Sequence, residues 1–363
     1  MDKVKYISNI DKVSQLSETE KEVLKQVTVK YAFRANEYYL SLIDWNDPDD
    51  PIRKIIIPST DELQIWGDLD VSDEIINYKA PGLQHKYRDT VLLILNKTCG
   101  SFCRFCFRKR LFMPDNIEVI NNIDPGIEYI RNHPEVTNVL LTGGEPLFLS
   151  TVKLQRIIGR IAAIDHVKII RLGTKIPVFN PYRILNDPEL PKMLRSFNRR
   201  GICVYIMCHI NHPRELTAPA VKALALLSET GSALCNQTPI LRGINDDATV
   251  LRTLMQELSY LGVAPYYFFI NRPVEGNKPF CIPVSVAYQL FVRATTGLSG
   301  VARRAKLVMS HATGKIQVAG LNREHIFLRY NRARNAEDEY KMMIFKRDDK
   351  AYWFDDYETA LIT

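Results

Sequence analysis

Val91-Leu92-Leu93-Ile94-Leu95-Asn96-Lys97-Thr98-Cys99-Gly100-Ser101-Phe102-Cys103-Arg104-Phe105-Cys106 passes from an unbroken apolar run into three cysteines. A short apolar run bounded by polar residues reads as a strand buried on both faces, the kind found in parallel sheets. The same pattern recurs downstream at residues 138–141, 168–171, 203–207, 233–240 and 266–270. The intervening stretches 154–163, 191–199, 218–230 and 248–262 are long enough for crossover helices. Six such alternations between residues 91 and 300 imply βαβ units, hence an α/β fold with a parallel sheet.

Polar residues gather where each strand ends. The cysteines follow the first strand and Thr142-Gly143-Gly144-Glu145 the second. Gly173-Thr174-Lys175 follows the third, and His209-Ile210-Asn211-His212 the fourth. Asn236-Gln237 lies within the fifth, and Asn271-Arg272 follows the sixth. In parallel α/β barrels ligands bind at the carboxyl ends of the strands, so this placement marks a site.

The C-x3-C-x2-C spacing of Cys99, Cys103 and Cys106 suits three irons of a [4Fe–4S] cluster. The fourth iron is then open to S-adenosylmethionine, whose reductive cleavage gives a 5′-deoxyadenosyl radical. Two other readings remain open. One is a structural zinc site, although zinc prefers four ligands in two pairs. The other is chance clustering of packed thiols. Gly143 and Gly144 allow close backbone approach to a ligand. Glu145 offers an acceptor for an ammonium, or simply starts a helix ahead of Pro146.

The chain has 363 residues, 48 basic against 41 acidic, and a net charge of +7. So mild an excess points to solvated surface rather than to nucleic acid. No apolar run reaches the ~18 residues of a membrane span. Residues 1–15 lack the layout of a signal peptide, so a cytoplasmic location is expected. An odd number of cysteines, seven, argues against a disulfide framework. Cys203, Cys208, Cys235 and Cys281 are expected to be packed thiols. Ser17 and Glu20 hold capping-box spacing ahead of Val23, Leu24 and Val27, which starts a helix near Ser17. A short polar helix is expected after Pro58. Residues 67–90 read as a loosely structured connector. Residues 314–318 and 326–330 read as strands, and the apolar tail around Met343 and Trp353 as packing on the barrel.

With these motifs in view, the chain resembles lysine 2,3-aminomutase and its relatives among the radical S-adenosylmethionine enzymes. The matching segments include Tyr39-Leu40-Ser41-Leu42-Ile43-Asp44, Pro81-Gly82-Leu83-Gln84-His85-Lys86-Tyr87, the cysteines and Thr142-Gly143-Gly144-Glu145-Pro146. Arg171-Leu172-Gly173-Thr174-Lys175-Ile176-Pro177-Val178, His209-Ile210-Asn211-His212-Pro213, Asn236-Gln237, Gly243-Ile244-Asn245-Asp246 and Gly314-Lys315-Ile316 continue the match. The resemblance implies a partial (β/α)6 TIM-like barrel of the radical S-adenosylmethionine type over 91–300. An N-terminal helical extension and connector would cover 1–90, and a C-terminal strand and cap region 301–363. It implies cofactor binding by Thr142, Gly143, Gly144, Glu145, Arg171, His209 and Gln237. It further implies pyridoxal 5′-phosphate held as a Schiff base by Lys315, and a substrate carboxylate on Arg108. A small amino-acid-like substrate, an electron donor such as flavodoxin or ferredoxin, and a homo-oligomer complete the expectation.

The departures bear on the reaction. The family's proline and glycine run before the Schiff-base lysine is Ser310-His311-Ala312-Thr313-Gly314 here. Its phosphate-gripping basic residue matches Thr90, a second basic position is Lys86, and the histidine between the second and third cysteines is Phe105. The two acids that receive a lysine ammonium match Arg272 and Val308. A cation facing a cationic side chain repels it, whereas Arg272 suits a carboxylate. The expected reaction is therefore a 2,3-aminomutase-type migration on an amino acid other than lysine. A pyridoxal-phosphate-independent hydrogen abstraction on another metabolite or peptide, and a non-catalytic iron–sulfur or zinc protein, are the alternatives.

Overall fold

The structure, a computed structural model, describes residues 4–113, 116, 118, 119, 122–358, 360 and 361. β1 (Tyr6–Ile7) and β2 (Ala35–Asn36) form a small antiparallel pair. All other strands belong to one sheet. Its centre is parallel and runs in chain order: β5 (Thr90–Ile94), β6 (Asn138–Thr142), β7 (Ile169–Thr174), β8 (Cys203–Cys208), β9 (Ala233–Ile240) and β10 (Ala264–Ile270). These are the six apolar runs of the sequence. The crossover helices Asp124–Arg131, Thr151–Ala162, Glu189–Arg199, Ala218–Ser228 and Ala248–Tyr260 separate them. A sixth, Val284–Thr295, leads to a seventh parallel strand, β11 (Lys306–His311).

Alternation divides each strand between two faces. In β7, Ile170 and Leu172 are fully buried against the helices, while Arg171 and Gly173 occupy the other, inner face. Val91, Leu93, Val139 and Leu141 join the same helix-facing core as Leu154, Ile158, Leu194 and Leu224. A second core sets Phe268, Leu307, Met309, Ile316 and Val318 against Ala287, Leu290 and Ala294. The apolar face is thus spent on the helices, and the inner face is left for polar groups.

The sheet continues beyond the parallel strands at both edges. β4 (Leu83–Tyr87) pairs antiparallel with β5, and β3 (Tyr78–Ala80) pairs antiparallel with β4 across a turn with Gly82 at φ 67°. This corrects the loose connector expected over 67–90. The polar run of β4 has weak strand periodicity, and pairing with β5 is what makes it a strand. At the other edge β12 (Gly314–Leu321), β13 (His325–Ala333) and β14 (Met342–Lys346) form an antiparallel meander on β11. The two edges meet. Lys86 Nζ donates to the His311 carbonyl, and Arg332 Nη2 lies 2.5 Å from Asp89 Oδ1. The Ser72 hydroxyl donates to the Ser310 carbonyl at 2.7 Å. The sheet therefore wraps into a partial barrel.

The helix Glu18–Lys30 begins at Ser17 with the capping box complete on both sides. Ile52, Ile55 and Ile56 of the helix Pro51–Ile56 pack with Tyr39, Phe105, Phe179 and Phe280. The N-terminal segment thereby covers the barrel loops. The short polar helix expected after Pro58 is the 3-10 helix Thr60–Leu63, and Trp353 and Tyr357 of the tail enter the second core. Among the described residues no helix is long and apolar enough to cross a membrane.

Candidate active site

The cysteine loop leaves β5 through Asn96 and Thr98, and the loop after β6 is laid directly upon it. Gly144 N–H donates to the Asn96 carbonyl at 2.7 Å, and Glu145 N–H to the Thr98 carbonyl at 2.8 Å. A Cβ on Gly144 would stand 2.4 Å from the Thr98 oxygen; one on Gly143 would stand 2.6 Å from that of Asn96, at φ +126°. The close approach that these glycines permit is thus to the chain itself, one residue before Cys99. Glu145 is likewise engaged. Its carboxylate accepts the N–H groups of Leu147 at 3.0 Å and Lys175 at 2.8 Å, capping the turn Pro146–Phe148. Burial lifts its pKa to about 7. The Thr174 hydroxyl and the Ile176 N–H also bear on it and oppose that rise.

Burial pushes the thiols of Cys99, Cys103 and Cys106 up, Cys103 to about 12. Lys175 opposes this at Cys103, and the N–H of Arg108 with Arg108, Lys109 and Arg110 opposes it at Cys106. Among the described residues no three His, Cys, Asp or Glu side chains converge on a point as one metal ion requires. A cubane cluster places no such demand, since each thiolate takes a different iron. Three thiols on one loop, beside basic groups that favour thiolates, fit that group. Of the remaining cysteines, Cys208 and Cys281 are buried and Cys235 is half-buried, but Cys203 is exposed at the start of β8 rather than packed.

Lys175 follows β7 and is buried. Its Nζ contacts Glu215 Oε1 at 2.6 Å, Asn211 Oδ1 at 2.7 Å and the His209 carbonyl at 2.9 Å. Tyr39 donates to the same Glu215 oxygen at 2.6 Å. The Asn211 amide nitrogen lies 3.2 Å from His209 Nε2, which makes Nε2 the acceptor. Burial and Lys175 hold His209 neutral, its ring against Phe105. His212 caps the turn Pro213–Glu215, a supporting role. The Asn236 amide exchanges two hydrogen bonds with the Ile210 backbone. Gln237 is half-buried on the inner face of β9.

Arg108, Lys109 and Arg110 are buried and ion-paired rather than solvated. Arg108 Nε, Arg110 Nη2 and Arg272 Nη1 converge on Glu74 at 3.2, 2.7 and 3.3 Å. Arg108 also reaches the Thr142 hydroxyl at 3.3 Å. The Arg272 guanidinium lies 4.0 Å from the centre of the Phe107 ring. The three arginines hold the Glu74 carboxyl well below the usual range. Val308, inner-facing on β11, is fully buried and pairs with Phe269.

Lys315, the second residue of β12, points among three rings. Its Nζ is 5.3, 5.6 and 5.8 Å from the centres of Tyr267, Phe269 and Tyr87. Burial pushes the amine down to about 7, and the charges that weigh most on it are cations: Arg272, Lys86, Arg171 and Arg332. The preceding turn is pinned by the tail, where His311 Nε2 meets Asp355 Oδ1 at 2.9 Å. Arg171 Nε is buried with no partner among the described residues. A depressed amine near a guanidinium whose buried Nε lacks a partner fits pyridoxal phosphate, which needs an amine and an anion holder.

Sequence reasoning missed Glu74, Glu215, Tyr39 and Arg332. Tyr39 opens a matching segment and the other three lie outside any quoted motif, but only the fold brings all four to the site.

No family model matches the chain. A protein of Aquifex aeolicus provisionally named L-lysine 2,3-aminomutase is 52% identical over 98% of this chain and 95% of its own. L-lysine 2,3-aminomutase of Clostridium subterminale is 38% identical over 79% of this chain and 68% of its own. Glutamate 2,3-aminomutase of Clostridioides difficile is 35% identical over 82% and 69%. Among solved structures, a radical SAM methyltransferase from Sphaerobacter thermophilus covers 63% of this chain and 68% of its own at 16% identity. Its TM-score is 0.41. On the strength of its sequence relatives, the chain belongs to the lysine 2,3-aminomutase family of radical S-adenosylmethionine enzymes.

Proposed function

We propose that this protein is a 2,3-aminomutase for an α-amino acid with an anionic side chain. Arg272, its side chain 15% exposed, carries the reading. It lies between Phe107 and Glu74, and Val308 brings no carboxylate to receive an ammonium. A lysine side chain would meet a cation there; a carboxylate would find a guanidinium that can bind it through two N–H groups.

In this reading Cys99, Cys103 and Cys106 hold the cluster. Thr142, Gly143, Gly144, Glu145, His209 and Gln237 surround S-adenosylmethionine, with Arg171 facing the same interior. When bound, these groups supply a 5′-deoxyadenosyl radical, and pyridoxal phosphate on Lys315 supplies a carrier for the migrating nitrogen. The protein's own work is electrostatic. Lys315, lowered to about 7, is available as a free amine near neutral pH. Neutral His209 and the buried Lys175–Glu215 pair keep the neighbourhood of the thiols rigid. Arg108, shared between Glu74 and Thr142, retains N–H groups for the α-carboxylate.

The test is product analysis. Anaerobically reconstituted protein with S-adenosylmethionine, pyridoxal phosphate and a reductant is given L-glutamate, L-2-aminoadipate or L-lysine. The expected products are 3-amino acids from the acidic substrates, with matching 5′-deoxyadenosine. Turnover of lysine in preference to both overturns the reading.

A further inference from the structure

We propose that Arg332, together with Arg171, holds the phosphate of pyridoxal phosphate beside Lys315. This rests on the preceding reading that the group binds at Lys315, and the experiment below separates the two.

Arg332 stands directly opposite Lys315 in the β12–β13 ladder. Directly opposed residues project on the same face, so the two side chains are neighbours. Gly314 makes the approach possible, since a Cβ there would lie 2.3 Å from the Arg332 carbonyl oxygen. One ring carries both cations: the Arg332 guanidinium is 4.5 Å and the Lys315 amine 5.8 Å from the centre of Tyr87.

The Arg332 fork is oriented but not used up. Nη2 meets Asp89 at 2.5 Å and Nη1 meets the Thr90 hydroxyl at 3.4 Å. Of its five N–H donors three remain. The Asp89 pair is partly exposed and so is a weak competitor for a guanidinium. Thr90 is the position where the resemblance places a phosphate-gripping basic residue. Its hydroxyl touches Arg332, so the charge absent from β5 arrives from β13. Arg171 supplies the second, independent sign: a buried Nε–H with no partner among the described residues, on the inner face of β7. A buried donor left unpaired is costly, and an oxyanion removes that cost. A phosphate monoester has the charge and the oxygens to engage both guanidinium groups.

The experiment titrates the reconstituted full chain with pyridoxal phosphate and, separately, with pyridoxal. The lysine adduct is trapped with borohydride and its amount at Lys315 is read by peptide mass. Wild-type protein is expected to prefer pyridoxal phosphate strongly. R332A should need about tenfold to a hundredfold more pyridoxal phosphate for half-saturation, the loss of one charged hydrogen bond, while its pyridoxal curve stays put. R332K should recover part of the preference. If R332A does not fold, R332Q read against R332K makes the same comparison. An R332A variant that keeps the phosphate preference, with Lys315 still trapped, overturns this assignment and leaves the Lys315 reading intact. Absence of any adduct at Lys315 in the wild type overturns both.

Discussion

Replacing Glu74 by Gln removes the carboxylate on which the buried Arg108 and Arg110 and the largely buried Arg272 converge. Arg110 keeps Glu118 at 2.8 Å and Asp70 at 3.5 Å. Among the described residues Arg108 and Arg272 pair with no other carboxylate, so the loss falls on them. Breaking a buried ion pair from one side costs about 3–5 kcal/mol, because the surviving charge is left uncompensated. Gln retains the shape and an acceptor oxygen, which places E74Q near the lower end, about 3 kcal/mol. The sign of the pH dependence is set by the depressed pKa of Glu74. Such a group contributes stability above its unfolded pKa and loses it as pH falls through the folded one. The gap between wild type and E74Q should be full at pH 7 and should narrow only in acid, below about pH 4. Urea unfolding followed by fluorescence and far-ultraviolet circular dichroism measures it, with the midpoint and slope compared at each pH. A loss under about 0.5 kcal/mol at pH 7, the size of a bare surface change, would refute the idea that Glu74 neutralises this cluster.

Two further outcomes follow from the same geometry. G144A puts a methyl 2.4 Å from the backbone oxygen of Thr98, which has no rotamer to yield. The cysteine loop must shift, so anaerobically reconstituted G144A is expected to bind less iron and sulfide than wild type and to lose about 1–3 kcal/mol; full loading at wild-type stability would sink this. K315M removes a buried amine whose pKa has fallen to about 7. Between that value and the unfolded value near ~10.4 the folded chain holds fewer protons than the unfolded one. Stability therefore rises with pH across the window, and the penalty is largest below it. Apo K315M should be more stable than apo wild type at pH 6, with the advantage fading toward pH 10; equal melting temperatures at pH 6 would contradict the burial of this amine.

How much of this was legible in the chain depends on the range of the signal. The six parallel strands, their crossover helices and the Ser17 cap are written in local periodicity, because a strand buried on both faces must be continuously apolar. The cysteine triplet is equally local, since one loop carries all three thiols. β4 was invisible for the opposite reason: its residues alternate weakly, and hydrogen bonds from β5 make the strand. Cys203, expected inside, lies exposed at the start of β8.

From its sequence alone, then, come the α/β order, the placement of polar groups at strand ends and the candidates Cys99, Cys103, Cys106 and, through the resemblance, Lys315. Tertiary structure alone set the charges around them. Glu74 reaches Arg272 across 198 residues, Lys86 reaches the His311 carbonyl across 225, and Arg332 reaches Thr90 across 242. The reason is physical: periodicity reports which face of an element meets the core, but electrostatics depends on distance in space. Only closing the sheet upon itself makes those distances short.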